Sequence, residues 1–380
     1  MYSRIQTFSG SGQESLFLWG ARQTGKSTLL KTGYPRSPYF DLLLGEEYLR
    51  FQQQPGLLRE IITALDPAEP VIIDEIQRLP HLLNEVQWLM VNKGYRFILS
   101  GSSPRKIIRT GANLLGGRAL RYELYPLVYP EITDFNLLRA LNHGLLPRHY
   151  LSAQPHRLLA AYIGNYLKDE IIHEANIRNI GSFSRFLEAA SFSNGEMVTY
   201  SNIATDCGVS APTVREYFQI LEDTLTARFL PSFQKKPKRR VIQAPKFYFF
   251  DLGIPNFLLK RNHLQWGSES IGKAFEHFIY QELIAHSHYS GLNYPIYYWR
   301  TASQIEVDFI LGEGETAIEV KSTTEANNRH TKGLKYFSEE YPSAQLLLVC
   351  NEKHPRQAGN ITILPWQLFL EKLWTGKLIR

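Results

Sequence analysis

The chain has 380 residues, 44% of them apolar, a formal net charge of +6 and two cysteines. That length accommodates two or three domains. Cys207 and Cys350 lie too far apart in sequence to suggest a disulfide framework or a cysteine-based zinc site. A mildly basic balance permits a nucleic-acid partner without establishing one. The opening residues, MYSRIQTFSGSG, lack the apolar core of a signal peptide, and no apolar run is long enough to span a bilayer. The expectation is therefore a cytoplasmic protein with no membrane partner.

The first third alternates short apolar strands with helical stretches. The strands are expected at Leu16–Trp19, Pro38–Leu42, Val71–Glu75, Arg96–Ser100 and Leu120–Leu124, a pattern that reads as a parallel sheet covered on both faces. Asn142 to Pro155, with Gly144 and Pro147, reads as a boundary. From His156, apolar residues at Leu158, Leu159, Tyr162, Ile163, Tyr166 and Leu167 recur at helical spacing, and helical character is expected to continue to about Leu230. A basic run from Lys235 to Arg240 precedes an aromatic strand at Phe247–Phe250. The last third combines a helix over Ile271–Ala285 with strands at Ile296–Trp299, Glu306–Leu311, Ala317–Lys321 and Leu346–Val349. The units are expected at 1–142, 143–260 and 261–380.

Gly20 to Ser27 read GARQTGKS, a match to G-x-x-x-x-G-K-[ST] placed between an apolar strand and a helical stretch, as that pattern requires. Gly20 and Gly25 let the backbone close around phosphate oxygens, which amide N–H groups then bind at a helix N-terminus. The expected nucleotide cradle is Gly20, Ala21, Arg22, Gln23, Thr24, Gly25, Lys26, Ser27 and Thr28. Lys26 would neutralise the β- and γ-phosphates and the Ser27 hydroxyl would ligate Mg²⁺. Val71 to Glu75, VIIDE, is a buried strand ending in two carboxylates at the sheet edge where α/β ligands bind. Asp74 is expected to hold Mg²⁺ through water and Glu75 to polarise the attacking water, which favours hydrolysis over transfer to a small acceptor. Ser100, in FILSGSS, is a candidate γ-phosphate contact or a plain turn residue. Arg105 and Arg118 are candidate transition-state cations, in cis or from a neighbouring subunit, or surface arginines. The cofactors expected are ATP and Mg²⁺.

GARQTGKST, VIIDEIQ, FILSGSS and ANLLGGRAL resemble the prokaryotic AAA-type ATPases that carry a long C-terminal domain of unknown function. The resemblance continues through GLLPRHYL, FYFFDLGI at Phe247 to Ile254, EVDFIL and AIEVKS. It implies an ATP hydrolase of the ASCE type, often assembled as a homo-oligomer.

In Tyr200 to Leu221, Ala204, Gly208 and Val214 stand at the offsets of a helix-turn-helix: a small residue for close helix approach, a glycine for the turn, an apolar residue in the angle. Ser210 suits an N-cap and Pro212 a first turn. The second helix would turn Ala211, Thr213, Arg215 and Glu216 outward, and the basic run sits where a wing would be. DNA contacts are expected at Thr213, Arg215, Lys235, Lys236, Lys238, Arg239 and Arg240. The other use of such a winged helix is a packing lid on the ATPase, and an outward Glu216 is unhelpful to DNA contact.

Strand alternation puts Glu319 beside Lys321 on one face of AIEVK, and Glu306 beside Asp308 on one face of EVDFIL. Adjacent strands would bring Asp308 next to Glu319 and Lys321, with Glu276 on the preceding helix. This resembles the PD-(D/E)XK nuclease signature, although no proline precedes Asp308. It implies Mg²⁺ held by Asp308, Glu319 and Glu276, with Lys321 polarising water and Arg300 and Gln304 near phosphate. The alternative is a charged hairpin face on a unit that binds DNA or protein without cutting. The expected fold is α/β: an N-terminal P-loop AAA-type parallel sheet with flanking helices, a helical winged-helix middle domain and a C-terminal α/β PD-(D/E)XK-like domain. The expected partners are ATP and DNA.

Overall fold

The computed structural model describes residues 2–8, 14–109, 115–167, 179–235, 239, 241–261 and 263–379. In the first third, β1 (Ser15–Trp19), β2 (Tyr39–Asp41), β3 (Val71–Asp74), β4 (Phe97–Gly101) and β5 (Ala119–Glu123) form a parallel sheet in the order β2–β3–β4–β1–β5. Strands β1, β3 and β4 are buried along their whole length, which is why they read as unbroken apolar runs. The connecting helices are α1 (Lys26–Gly33), α2 (Gly45–Gln53), α3 (Gly56–Leu65), α4 (Leu82–Lys93) and the short α5 (Arg105–Arg109). Phe17, Ile62, Ile73, Val86 and Leu99 pack on one face, and Leu16, Leu18, Leu30, Ile72 and Ile98 on the other. Parallel pairing sets the C-terminal ends side by side, with Leu18 opposite Ser100 and Asp41 opposite Asp74.

The middle holds α6 (Leu137–His143), α7 (Pro147–Tyr150), α8 (Pro155–Ala161), α9 (Ile180–Phe192), α10 (Tyr200–Cys207) and α11 (Ala211–Asp223). The stretch read as a boundary is not a loose link. Leu145, Leu146 and Tyr150 are buried, and the N–H groups of Leu145 and Gly253 donate to buried Asp251 at 2.7 and 2.9 Å. Gly144, at φ 77°, lies so close to that carboxylate that any side chain there would overlap it. Helical character also stops before Leu230. Leu225, at φ 58°, turns the chain out of the helix. It then enters β7 (Ala227–Leu230), which pairs with β8 (Lys246–Phe249), itself paired to β6 (Glu196–Met197), in an antiparallel sheet. Phe229 and Phe247 meet edge to face across that pair with ring centroids 5.7 Å apart, a cross-strand contact that a continued helix would forfeit.

Residues 200–223, where a helix-turn-helix is expected, fold as two helices, α10 and α11, joined by a turn. Gly208 takes the left-handed turn at φ 66°, and Ser210 Oγ accepts from Thr213 N–H at 3.3 Å, capping α11. Val214, Tyr217, Phe218 and Leu221 are buried while Arg215 and Glu216 are exposed.

The last third contains α12 (Gly253–Leu258), α13 (Glu269–Tyr289), β9 (Ile296–Arg300), β10 (Glu306–Leu311), β11 (Thr316–Val320), α14 (Lys332–Glu340), β12 (Gln345–Cys350), β13 (Arg356–Ala358), β14 (Ile361–Pro365) and α15 (Trp366–Trp374). The sheet order is β13–β14–β12–β11–β10–β9. Strands β9, β10 and β11 are antiparallel, and β11, β12 and β14 are parallel. Helix α13 lays Phe275, Phe278, Ile279 and Leu283 on Phe309, Ile318 and Val349, while Leu334 and Phe337 of α14 cover Val307, Ile310 and Leu348 on the opposite face. On either side of the basic run the chain meets the β9 edge: Phe233 N–H donates to Tyr298 O at 2.7 Å and Ile242 N–H to Arg300 O at 2.9 Å. Backbone groups on that edge are thereby paired within the chain. Among the described residues no helix is long and apolar enough to cross a membrane.

Glu282 of α13 joins three parts of the molecule. Its carboxylate accepts from Tyr129 N–H at 2.9 Å and from Trp374 Nε1–H at 2.7 Å. Burial pushes this carboxyl up to about 8 from an ordinary 4.5. A raised folded value means that its contribution is fully present below about pH 4.5 and is lost as pH rises through about 8. Replacing Glu282 with Gln is expected to flatten the fall in Tm across that window relative to the parent protein. Parallel Tm–pH curves for the two proteins would contradict this.

Candidate functional site

The GARQTGKS stretch forms the loop between β1 and α1. A Cβ on Gly20 would stand 2.5 Å from Leu124 O, so only glycine fits there. Gly25, at φ 99°, is the N-cap of α1, and no side chain caps that helix, so its first amides depend on a ligand or solvent. Lys26 is buried, and its Nζ donates to Gly20 O at 2.6 Å and Ala21 O at 3.3 Å. Thr24 Oγ1 donates to Ala21 O at 2.8 Å. The loop thus curls around an ammonium group at the end of β1.

Asp74, at the end of β3, is 1% exposed and gathers donors from several elements. Ser27 Oγ donates to its Oδ2 at 2.6 Å, the Tyr39 hydroxyl donates to the same oxygen, Ser100 Oγ donates to Oδ1, and Glu75 N–H donates to Oδ1 at 3.0 Å. Burial, then the hydrogen bond to Asp74, push the Tyr39 hydroxyl far above its ordinary value, so Tyr39 acts here only as a neutral donor. A serine hydroxyl bonded to a carboxylate is a set of hard oxygens that suits Mg²⁺, which usually takes one or two protein ligands beside phosphate and water. The residues present therefore fit the metal expected at this site.

Glu75 is buried and left-handed, at φ 60° and ψ 41°. Its Oε2 accepts from Gln77 Nε2, which also donates to Ser102 Oγ at 2.9 Å. Arg105 and Arg118 separate clearly. Arg105 is buried and ion-paired with Asp223 at the end of α11, while Ser103 Oγ donates to the Asp223 carbonyl at 3.0 Å. Arg105 is thus committed to the middle unit and not aimed at the phosphate loop. Arg118 is exposed just before β5. A second ion pair, Glu123 with Arg228, also joins the first sheet to the middle unit.

Arg4, Tyr39 and Gln77 were not read as site residues from sequence. Gln77 lies in the quoted VIIDEIQ run, but its role depends on meeting Ser102 from another strand. Arg4 carries no local signal at all. Its guanidinium pairs with buried Glu131 at 2.9 Å and donates to Thr24 O at 2.5 Å and Tyr125 O at 2.7 Å, fastening the N-terminal segment onto the phosphate loop.

In the C-terminal unit, Asp308 and Glu319 do meet Lys321. Its Nζ is 2.6 Å from Glu319 Oε1 and 3.4 Å from Asp308 Oδ2, and Val320 N–H donates to that Asp308 oxygen at 2.8 Å. Glu276 is instead engaged by Lys246 Nζ at 3.0 Å and the Tyr248 hydroxyl at 2.6 Å. Lys246 also pairs with Glu306 at 2.5 Å, and Arg300 joins Glu306 at 3.1 Å and contacts Gln304. Burial, then Lys246 and Asp308 acting in opposite directions, leave the Glu276 carboxyl above its ordinary range; burial and then Asp308 raise Glu319. The metal set Glu276, Asp308 and Glu319 expected from sequence is not gathered as such: among the described residues no group of three or more His, Cys, Asp or Glu could hold a metal. The physical reason is that buried carboxylates need a counter-charge, and Lys246 and Lys321 supply it. Lys246 and Tyr248 come from the middle unit's strand, which no E-x-K spacing could reveal.

Of the expected DNA contacts, Arg215 is exposed and stacks over the Tyr200 ring, its guanidinium carbon 5.1 Å from the ring centroid, and Thr213 is half-buried. Lys235 pairs with Glu313, and Arg239 with Glu339 and Glu340, so these two are held on the C-terminal unit and do not project as a wing. Lys236, Lys238 and Arg240 lie outside the described residues.

Residues 12–133 match a family model described as an AAA domain. This part of the chain is similar to an AAA domain. Residues 135–265 and 271–369 match two further models, each described as a domain of unknown function (DUF8612 and DUF4143). Among solved structures, a Signal Transduction ATPase with Numerous Domains (STAND) protein with a tetratricopeptide repeat sensor, from Pyrococcus horikoshii, is similar at 14% identity over 76% of this chain, with a TM-score of 0.22. The match covers 48% of that chain, so the present chain spans about half its length. No curated protein matches.

Replacing Arg4 with Met would leave the Glu131 charge buried without its partner and the Thr24 carbonyl without a donor. The expected cost is about 3 kcal/mol of stability, with weaker nucleotide binding at a temperature where the variant is still folded. Unfolding curves and nucleotide titration check this, and unchanged affinity would contradict the link to the loop.

Proposed function

We propose that the chain is an ATP-hydrolysing switch that relays its nucleotide state to the helix-turn-helix unit, and that this unit engages DNA. The observation that carries the reading is the convergence of Ser27, Tyr39 and Ser100 on Asp74, beside a loop that enfolds the Lys26 ammonium. On this reading the triphosphate enters the loop Gly20 to Thr28, and Lys26 exchanges the Gly20 and Ala21 carbonyls for β- and γ-phosphate oxygens. Ser27 and Asp74 hold Mg²⁺, which when bound neutralises charge on those oxygens. Ser100 donates towards the γ-phosphate. Glu75 accepts a proton from water as the water oxygen bonds to the γ-phosphorus and the bond from that phosphorus to the β–γ bridging oxygen breaks, giving ADP and phosphate. Of the two candidate arginines, the exposed Arg118 is the one this reading assigns to a neighbour's site in a homo-oligomer, since Arg105 is held by Asp223.

A DNA partner is supported by the α10–turn–α11 geometry, the β7–β8 pair after it in winged-helix order, and exposed Arg215 near the start of α11. Thr213 and Arg215 are the contacts this reading favours over Lys235 and Arg239, which are ion-paired with acids of the C-terminal unit. For the C-terminal unit, a PD-(D/E)XK-like arrangement is supported by a mixed sheet flanked by α13 with Asp308, Glu319 and Lys321 together. Lys246, which is ion-paired with Glu276 and Glu306, favours binding without cleavage.

One incubation series tests the whole reading: protein, ATP, Mg²⁺ and supercoiled plasmid, with the parent chain, Lys26→Ala and Glu75→Gln. The parent is expected to release phosphate and retard the plasmid while leaving it supercoiled. Lys26→Ala should lose ATP binding, and Glu75→Gln should keep binding but release phosphate about 100-fold more slowly. Normal turnover in Glu75→Gln would contradict the hydrolytic assignment. Nicking that disappears in Lys321→Ala would show that the C-terminal unit cuts after all.

A further inference from the structure

Gln77 occupies a position that ordinary packing does not explain. It lies in a single 3₁₀ turn, Ile76–Arg78, directly after Glu75, and is 3% exposed. A carboxylate can only accept, so the amide must turn Nε2 and not its oxygen towards Glu75. Both Nε2 protons then find acceptors, one at Glu75 Oε2 and one at Ser102 Oγ. Gln77 Oε1, by contrast, is buried with no hydrogen-bond partner among the described residues. An amide placed merely to stabilise the turn would satisfy its acceptor too, because buried polar atoms rarely go unpaired. Here the donor side is satisfied at the expense of the acceptor side.

The neighbourhood is arranged to permit this bridge. Gly101 separates Ser100 from Ser102, and any side chain at 101 would overlap both the Gln77 amide and the Trp19 ring. Ser100 donates to Asp74 on one side of that glycine, and Ser102 receives Gln77 on the other. The end of β4 is therefore tied to both carboxylates of the VIIDE strand, to Asp74 directly and to Glu75 through Gln77. Glu75 has three side-chain torsions and a second carboxylate as its chain neighbour, so without this tether it would be repelled and free to turn away from the reacting water.

We propose that Gln77 is the positioning residue for Glu75: it holds the proton-accepting carboxylate in line and couples it to the strand end that meets the γ-phosphate. The inference rests on the reading of Glu75 as the base for ATP hydrolysis. Gln77 touches no reacting atom; the proton still passes from water to Glu75 while ADP leaves.

Steady-state hydrolysis and separate nucleotide-binding titrations, with the full chain, test it using Gln77→Leu and Gln77→Glu. Gln77→Leu should lower kcat at least about ten-fold with ATP affinity within about two-fold of the parent. Gln77→Glu, of nearly the same shape, places a like charge beside Glu75 and should lower kcat likewise with ATP affinity retained. A merely structural residue would lose affinity and turnover together. A kcat within about two-fold of the parent in Gln77→Leu overturns the proposal. Glu75→Gln, run alongside, separates the failures: if it hydrolyses ATP normally, or the parent chain does not hydrolyse ATP, the base assignment itself falls. If Glu75 is needed and the Gln77 variants behave as the parent, only the positioning role falls.

Discussion

A carboxylate that is only 1% exposed must have its charge answered from within the protein, and the way Asp74 is answered constrains everything around it. Its donors come from the start of α1, from β2, from β4 and from its own neighbour's backbone. Four pieces of chain are therefore held to one pair of oxygens. The phosphate loop is braced from the opposite side by Arg4, which grips Thr24 O while paired to Glu131. A ligand entering the loop must break into this set of bonds, so its arrival is felt at β2 and β4 as well as at α1.

Those elements lead outward. Past Ser100 and Gly101, the end of β4 carries Ser103 and Arg105, and both engage Asp223 at the C-terminal end of α11. From the edge strand β5, Glu123 holds Arg228, whose guanidinium carbon lies 5.4 Å from the Tyr125 ring centroid. The middle unit is in turn tied to the last one by Lys246 among the acids and by the backbone pairing along β9. On the proposed reading, exchange of donors at Asp74 is converted into strain on the Arg105–Asp223 pair, and the helix-turn-helix responds at a distance. The cations in the C-terminal cluster fit a part that fastens units together better than one that opens to a metal.

What could be read in advance follows the range of the interactions concerned. The phosphate loop, the VIIDE strand and the acid–acid–lysine trio are local patterns, and the strands carrying them fall within about two residues of their expected ends. Gly208 and Ser210 likewise announced the α10–α11 turn because turn and cap chemistry is local. Residues that act through distant partners carried no such signal. Arg4 meets Glu131 far along the same unit, while Lys246 meets Glu276 and Arg105 meets Asp223 across separate units. The basic run was read by charge alone, and charge does not say whether Arg239 faces DNA or Glu340. Strand β7 is too short to show a period, and its Phe229 and Leu230 suit helix and strand alike until their partners in β8 are known.

The central claim is that nucleotide state reaches α11 through Arg105 and Asp223, and amide hydrogen exchange tests it most directly. Exchange in the 97–105 segment and in α11 is compared between ADP and a non-hydrolysable ATP analogue, in the parent chain and in Arg105→Ala. The account predicts that both segments change between the two nucleotides in the parent, and that Arg105→Ala keeps the change at 97–105 while losing it in α11. Identical exchange of α11 in both nucleotide states of the parent, or an undiminished response in Arg105→Ala, would contradict it.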